Sequence, residues 1–152
     1  MSFEAAHARV VALVEGVAAS TTIHLAASAA FKHAADGRSG KALTSRSFWI
    51  ESLVDGDLEF RGPFTPDLAG QPHMHSTLAV IFYYQGSASR RNELDQQIVT
   101  DMLDVMKTLG RPDLVGSQAT YSIDFITDLR ARRTNLDNGD AEVRLVFRMD
   151  WA

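Results

Sequence analysis

The closing segment, Glu142-Val-Arg-Leu-Val-Phe-Arg-Met-Asp-Trp151, alternates polar and apolar residues almost without interruption. Successive side chains of a strand point to opposite faces, so the pattern describes a β-strand with one buried side. Val143, Leu145, Phe147, Met149 and Trp151 are expected to face a core, and Glu142, Arg144, Arg148 and Asp150 to face water or a neighbouring subunit. A second alternating run, Ala119 to Ile126, leads through Leu129-Arg-Ala-Arg-Arg133 and the polar turn Asn135-Leu-Asp-Asn-Gly139 into that strand. Asn138-Gly139 is the strongest local turn signal in the chain, which predicts an antiparallel hairpin.

Upstream, Ser2 is a plausible N-cap for a helix running to about Ala19, with Phe3, Ala6, Val10, Leu13 or Val14 and Val17 as its buried stripe. Residues 20–35 fit either a short strand or continued helix, and Asp36 to Gly40 reads as a turn. Leu43 to Leu53 is strand-like around Phe48, Trp49 and Ile50. Glycines and prolines then break regularity from Asp55 to His73, with a short pairing possible at Glu59-Phe60-Arg61; a loop of this length is usually functional or disordered. Met74 to Tyr84 carries the unbroken apolar run Leu78 to Phe82, which predicts a central strand buried on both faces. A helix from Arg90 to Leu109 follows, with Ser87 or Ser89 as cap and Leu94, Ile98, Met102, Val105, Met106 and Leu109 as its apolar stripe. Asp95, Gln96, Gln97, Asp101, Asp104 and Lys107 are assigned to the outer face, and Gly110 is expected to supply a left-handed stop. The order of elements gives an α+β fold: a mostly antiparallel sheet with helices packed on one face and a closing C-terminal β-hairpin.

A chain of 152 residues that is 45% hydrophobic is expected to form one domain over 1–152. Without cysteine there is no disulfide framework, thiolate nucleophile or cysteine zinc site. A net charge of −4 gives no general positive field for nucleic acid, and no run is long and apolar enough to span a bilayer. The N-terminus lacks the basic region of a secretory signal, so a cytoplasmic protein, or one of a particle assembled in a cytoplasm, is expected. Twelve of the fifteen cationic side chains are arginine, whose planar multidonor head suits carboxylates and interfaces.

Catalytic signatures are sparse. His73 and His75 alternate in an extended segment and share a face, so a metal site is conceivable with Asp67 or Glu59 as further ligands. Asp55-Gly-Asp57 lacks the later glycine and glutamate of a calcium loop, and no nucleophile elbow, phosphate loop or dinucleotide fingerprint occurs. A small-ligand pocket beside Trp49 and Tyr84 is a further alternative. The densest basic cluster is Arg130, Arg132 and Arg133, with Arg144 and Arg148 on the polar side of the neighbouring strand. Asp128, Asp137, Asp140, Glu142 and Asp150 interleave with them. Mixed charge of this kind suits a subunit interface, or a solvated face stitched by weak cross-strand pairs; phosphate contact is the third option.

The central strand Leu78 to Tyr84, the amphipathic helix to Leu109, the strand Tyr121 to Ile126, the arginine-bearing connection Leu129 to Arg133 and the closing Glu142-Val-Arg-Leu-Val-Phe-Arg148 together resemble the tail-terminator (tail-completion) proteins of long-tailed bacteriophages and related gene transfer agents. The likeness spans most of the chain in the order of elements and lies in the residues themselves between Arg130 and Arg148. Two features depart from it: Arg46-Ser-Phe-Trp-Ile50 carries no proline, and the first 35 residues are long for that family's N-terminal helix, which also fits a neck or connector protein. The resemblance implies a structural virion protein, not an enzyme, with no metal and no cofactor. It would form a homohexameric ring that caps the tail tube, meets the head-tail connector on its other side and lets DNA pass without specific binding. Expected contact residues are Arg130, Arg132, Arg133, Arg144, Arg148 and Glu142 on the hairpin, and Asp57, Glu59, Phe60, Arg61 and Phe64 on the long loop.

Overall fold

Six strands build one sheet. The computed structural model describes residues 3–17, 30–37, 43–52, 58–60, 74–86, 88–110 and 123–151. The elements are helix α1 (Phe3–Glu15), strands β1 (Lys32–His33), β2 (Ser47–Ser52), β3 (Leu58–Phe60) and β4 (Met74–Tyr84), helix α2 (Arg91–Leu109), and strands β5 (Ile123–Asn135) and β6 (Ala141–Trp151). The strands run in the order β1-β2-β4-β6-β5, with β3 beside one end of β4. Every pairing is antiparallel except β1 with β2.

The two longest pairings decide the frame. Strand β6 pairs with β4 along its whole length, from Met74 opposite Trp151 to Tyr84 opposite Ala141. Strand β5 pairs with β6 across the expected hairpin, where Leu136 N–H donates to the Asp140 carbonyl at 2.8 Å and Gly139 has φ 87°, a conformation glycine adopts freely. The arginine segment is therefore strand and not a connection: β5 continues from Ile123 through Arg133 to Asn135. Its register shifts between Thr127 and Arg130, where Asp128 has φ 56°. Such a bulge bends the strand and lets the hydrogen-bonded ladder resume beyond it.

One side of the sheet is the core. Leu78, Val80, Phe82 and Tyr84 of β4 and Val143, Leu145, Phe147 and Met149 of β6 are buried there, with Phe48 of β2 and the stripes of both helices. Ala6, Val10, Leu13, Val14 and Val17 are buried as expected, and Leu94, Ile98, Met102, Val105 and Leu109 likewise. Ala79 and Ile81, on the opposite side of β4, are also buried, so this strand is enclosed on both faces.

Several local expectations are corrected. Helix α1 ends at Glu15, where Gly16 N–H still donates to the Ala12 carbonyl, rather than near Ala19; Ser2 and residues 18–29 lie outside the described residues. The N-cap of α2 is Arg90, without a side-chain capping bond, so Ser89 does not cap it; Ser87 lies outside the described residues. Gly110 has φ −81°, so α2 stops without a left-handed residue, its amide still bonded to the Met106 carbonyl at 2.9 Å. Trp49 and Tyr84 lie on opposite faces, since Trp49 pairs with Ile81 on the outer side while Tyr84 is in the core; they cannot line one pocket.

Close approach explains one glycine. A Cβ at Gly86 would lie 2.6 Å from the Gly139 carbonyl oxygen and 2.7 Å from Leu94 Cδ2. Gly86→Ala is expected to destabilise by about 1–3 kcal/mol, because the nearest obstacle is backbone of the hairpin turn and cannot rotate away. Urea unfolding checks this, and a change under about 0.5 kcal/mol would show that the turn can retreat.

Candidate functional site

The candidate site is the outer face of the β5–β6 hairpin. Residues directly opposite each other in a ladder share a face. Arg132 stands opposite Arg144, Arg130 opposite Val146, and Thr127 opposite Arg148, which gathers Arg130, Arg132, Arg144 and Arg148 on the side away from the helices. Arg130 and Arg132 are exposed, while Glu142, Arg144, Val146 and Arg148 are half-buried. Across the sheet, Arg144 Nη1 donates to Glu51 Oε2 of β2 at 2.6 Å. Both partners are substantially exposed, so water screens the pair and it adds little stability.

Arg133 does not belong to this strip. It stands opposite Val143, on the helix side, where its guanidinium pairs with Asp95 of α2 and its Nε donates to Asn135 Oδ1 at 2.8 Å. It fastens β5 to α2. An open cleft of about 400 Å³ lies beside it, between Arg91 at the start of α2 and the 135–140 turn.

Asp140 is likewise withdrawn from the mixed-charge face. It is buried at the hairpin turn, where it accepts hydrogen bonds from Tyr83 Oη, from Gly86 N–H at 3.0 Å and from Asn138 Nδ2 at 2.8 Å. Those bonds tie the turn to the end of β4. The outer face thus loses one charge of each sign, Arg133 and Asp140, and carries Arg130, Arg132, Arg144 and Arg148 with Glu51, Glu142 and, by register, Asp150.

Behind the sheet lies a polar network that sequence reasoning missed. Arg46, only 2% exposed, donates from Nε to Asp101 Oδ2 at 2.8 Å and from Nη2 to Oδ1 at 2.9 Å. Tyr84 Oη donates to the same Oδ2 at 3.0 Å. The Arg46 guanidinium also lies 5.7 Å from the centre of the Phe31 ring. Its backbone has φ 68° and is held on both sides, its N–H donating to the Tyr83 carbonyl at 2.9 Å and its carbonyl accepting from Lys32 N–H at 3.0 Å. Burial, then the facing Asp101 carboxylate and its hydrogen bond, push the Tyr84 hydroxyl well above the usual tyrosine value although Arg46 opposes the shift. Asp101 and Gln97 are therefore core residues of α2 and not part of its outer face. A signal was present, because Asp101 falls seven residues after Leu94 and four before Val105, inside the apolar stripe.

Of the other expected contact residues, Asp57, Arg61 and Phe64 lie outside the described residues, as does His73. Glu59 and Phe60 lie in β3, with Glu59 opposite His75 and Phe60 opposite Met74; His75 in turn stands opposite Asp150. Among the described residues no three His, Asp or Glu side chains come together as a metal group, and no helix is long and apolar enough to cross a membrane.

These features define an α+β protein with one helix-covered sheet face and one arginine-bearing face. No family model matches the chain, and no curated protein matches it either.

Proposed function

We propose that the chain is a structural virion protein: copies of it close into a ring that ends a phage tail tube and joins it to the head-tail connector, with DNA passing through the lumen and no catalytic step. The observation that carries this reading is the unlikeness of the two sheet faces. Helices cover one side, with Val99 and Leu103 exposed on the outer surface of α2, and an arginine strip lies on the other. A ring or an open stack forms when one surface of a copy meets a different surface of the next, whereas a self-complementary patch stops at a dimer. Unlike faces also suit a protein that must meet the tube on one side and something else beyond it. The long hairpin, tied at its turn by Asp140 and Gly86, supplies the rigid arm such a joint needs.

Negative-stain electron microscopy and light scattering of the purified chain, alone and with tail-tube ends, test the proposal. Rings of uniform symmetry, free or seated on tube ends, are expected. A chain that stays monomeric and ignores tube ends would overturn it. A second reading keeps His73 and His75 as ligands in a small metal-dependent enzyme, although among the described residues no three His, Asp or Glu side chains gather as a metal group. Metal analysis of the same preparation decides that point: one equivalent of divalent metal, lost on replacing both histidines with alanine, would establish the metal site and remove the support for a purely structural role.

A further inference from the structure

We infer that the outer stripe of α1 in one copy docks on the arginine face of the β5–β6 hairpin in the next, which names the two surfaces of the contact on which the ring reading rests. The starting point is a charge arrangement that costs free energy in the isolated chain. Arg132 and Arg144 are direct cross-strand neighbours, and like charges in that position repel. Glu51 answers Arg144 from the far side, but Arg130 and Arg132 are exposed and have no ion pair with any described residue. A carboxylate brought in from outside would relieve the repulsion.

The chain carries one described surface shaped to bring it. Glu4, Ala8, Ala12 and Glu15 of α1 are all exposed and follow one another at helical spacing, opposite the buried Ala6, Val10, Leu13 and Val14. No cation interrupts this stripe; Arg9 lies about a quarter turn away round the helix. Alanines between the two carboxylates let a helix lie close to a flat sheet. Eleven residues of helix separate Glu4 from Glu15 by about 16 Å. Four residues along the ladder and one strand across separate Arg132 from Arg148 by about 14 Å, with Val146 between them. A helix laid on that diagonal sets its alanines over Val146 and its acids over the arginines at either end, and the long arginine side chains absorb the difference. Docking in this way covers the arginine face of one copy with the helix of another and leaves each copy with one free helix stripe and one free face until the ring closes.

Charge reversal tests the match. Three variants are compared with the parent chain by sedimentation, alone or with tube ends, and their folding is checked by circular dichroism: R132E with R148E, E4R with E15R, and all four together. Each pair of reversals places like charges across the contact and is expected to weaken self-association by about tenfold or more, while the fourfold variant recovers association to near the parent level. Rings that persist unchanged in both paired variants would overturn the docking assignment and leave the ring reading intact. Loss in both pairs without recovery in the fourfold variant would overturn it too. If the arginine reversals abolish binding to duplex DNA and leave assembly unchanged, the face belongs to DNA and the assignment fails. A parent chain that never associates, with or without tube ends, removes the ring reading itself.

Discussion

Replacing Asp101 with alanine is expected to cost about 3–5 kcal/mol of stability, a fall in Tm of roughly 6–20 °C for a domain of this size. The effect does not come from losing a favourable pair so much as from stranding its partner. Arg46 is 2% exposed and donates from Nε and Nη2 to Asp101, so the truncated chain would hold in its core a guanidinium that has lost the carboxylate bonded to it. Tyr84 would lose its acceptor in the same step. Arg46 cannot turn outward cheaply, because its backbone is fixed at φ 68° between the Tyr83 carbonyl and the Lys32 amide. The double variant R46M with D101L removes both charges and should recover much of the loss, since a buried pair competes poorly with packed apolar side chains of similar size. Thermal and urea unfolding of the three proteins read out the coupling. A D101A loss below about 1 kcal/mol would mean that water reaches the guanidinium and the network is not closed.

Phe82→Ala should be comparably damaging, at about 3–5 kcal/mol, for a different reason. Phe82 is fully buried near the C-terminal end of the central strand, edge-on to Phe31 with ring centroids 5.5 Å apart and 5.9 Å from the Phe48 ring. Its removal opens a cavity between β4, β2 and the segment leading into β1, where neighbouring rings are too rigid to fill the space. Phe82→Leu, which leaves a smaller void, should cost less than half as much. Equal losses for leucine and alanine would indicate collapse of the site and not a cavity.

The strands that survive comparison with the sequence are those whose side-chain pattern has a single solution. Met74 to Tyr84 reads as a central strand because its apolar run is unbroken, and β4 has those bounds and lies in the middle of the sheet. Val143, Leu145, Phe147 and Met149 alternate, and all are buried. Helix ends were less legible. Gly16 and Gly110 both close helices, but neither stop follows from a cap residue alone, and the start of α2 at Arg90 makes no side-chain capping bond. Helix ends depend on what the following chain packs against, and local propensities of a few tenths of a kcal/mol do not fix that.

The arginine cluster illustrates the same division at the candidate site. Parity places Arg130 and Arg132 on one face, whereas Arg133 joins the strip only in an irregular connection; as strand, it turns to the helices and pairs with Asp95. Asp140 and Asp101 look like surface acids in a list of charges, and each is instead the acceptor at the centre of a buried or half-buried network.

Taken by itself, the sequence determined the α+β class, the central strand, the amphipathic helix and the closing hairpin, because periodicity is a local property and burial rewards one reading of it. Only the tertiary structure decided that Arg46 meets Asp101 across fifty-five residues, that the hairpin turn closes on Gly86, and that Arg132 faces Arg144 while Arg133 does not. Those outcomes depend on strand order, register and a bulge at Asp128, which are settled by how distant segments pack and leave no trace in the spacing of neighbours.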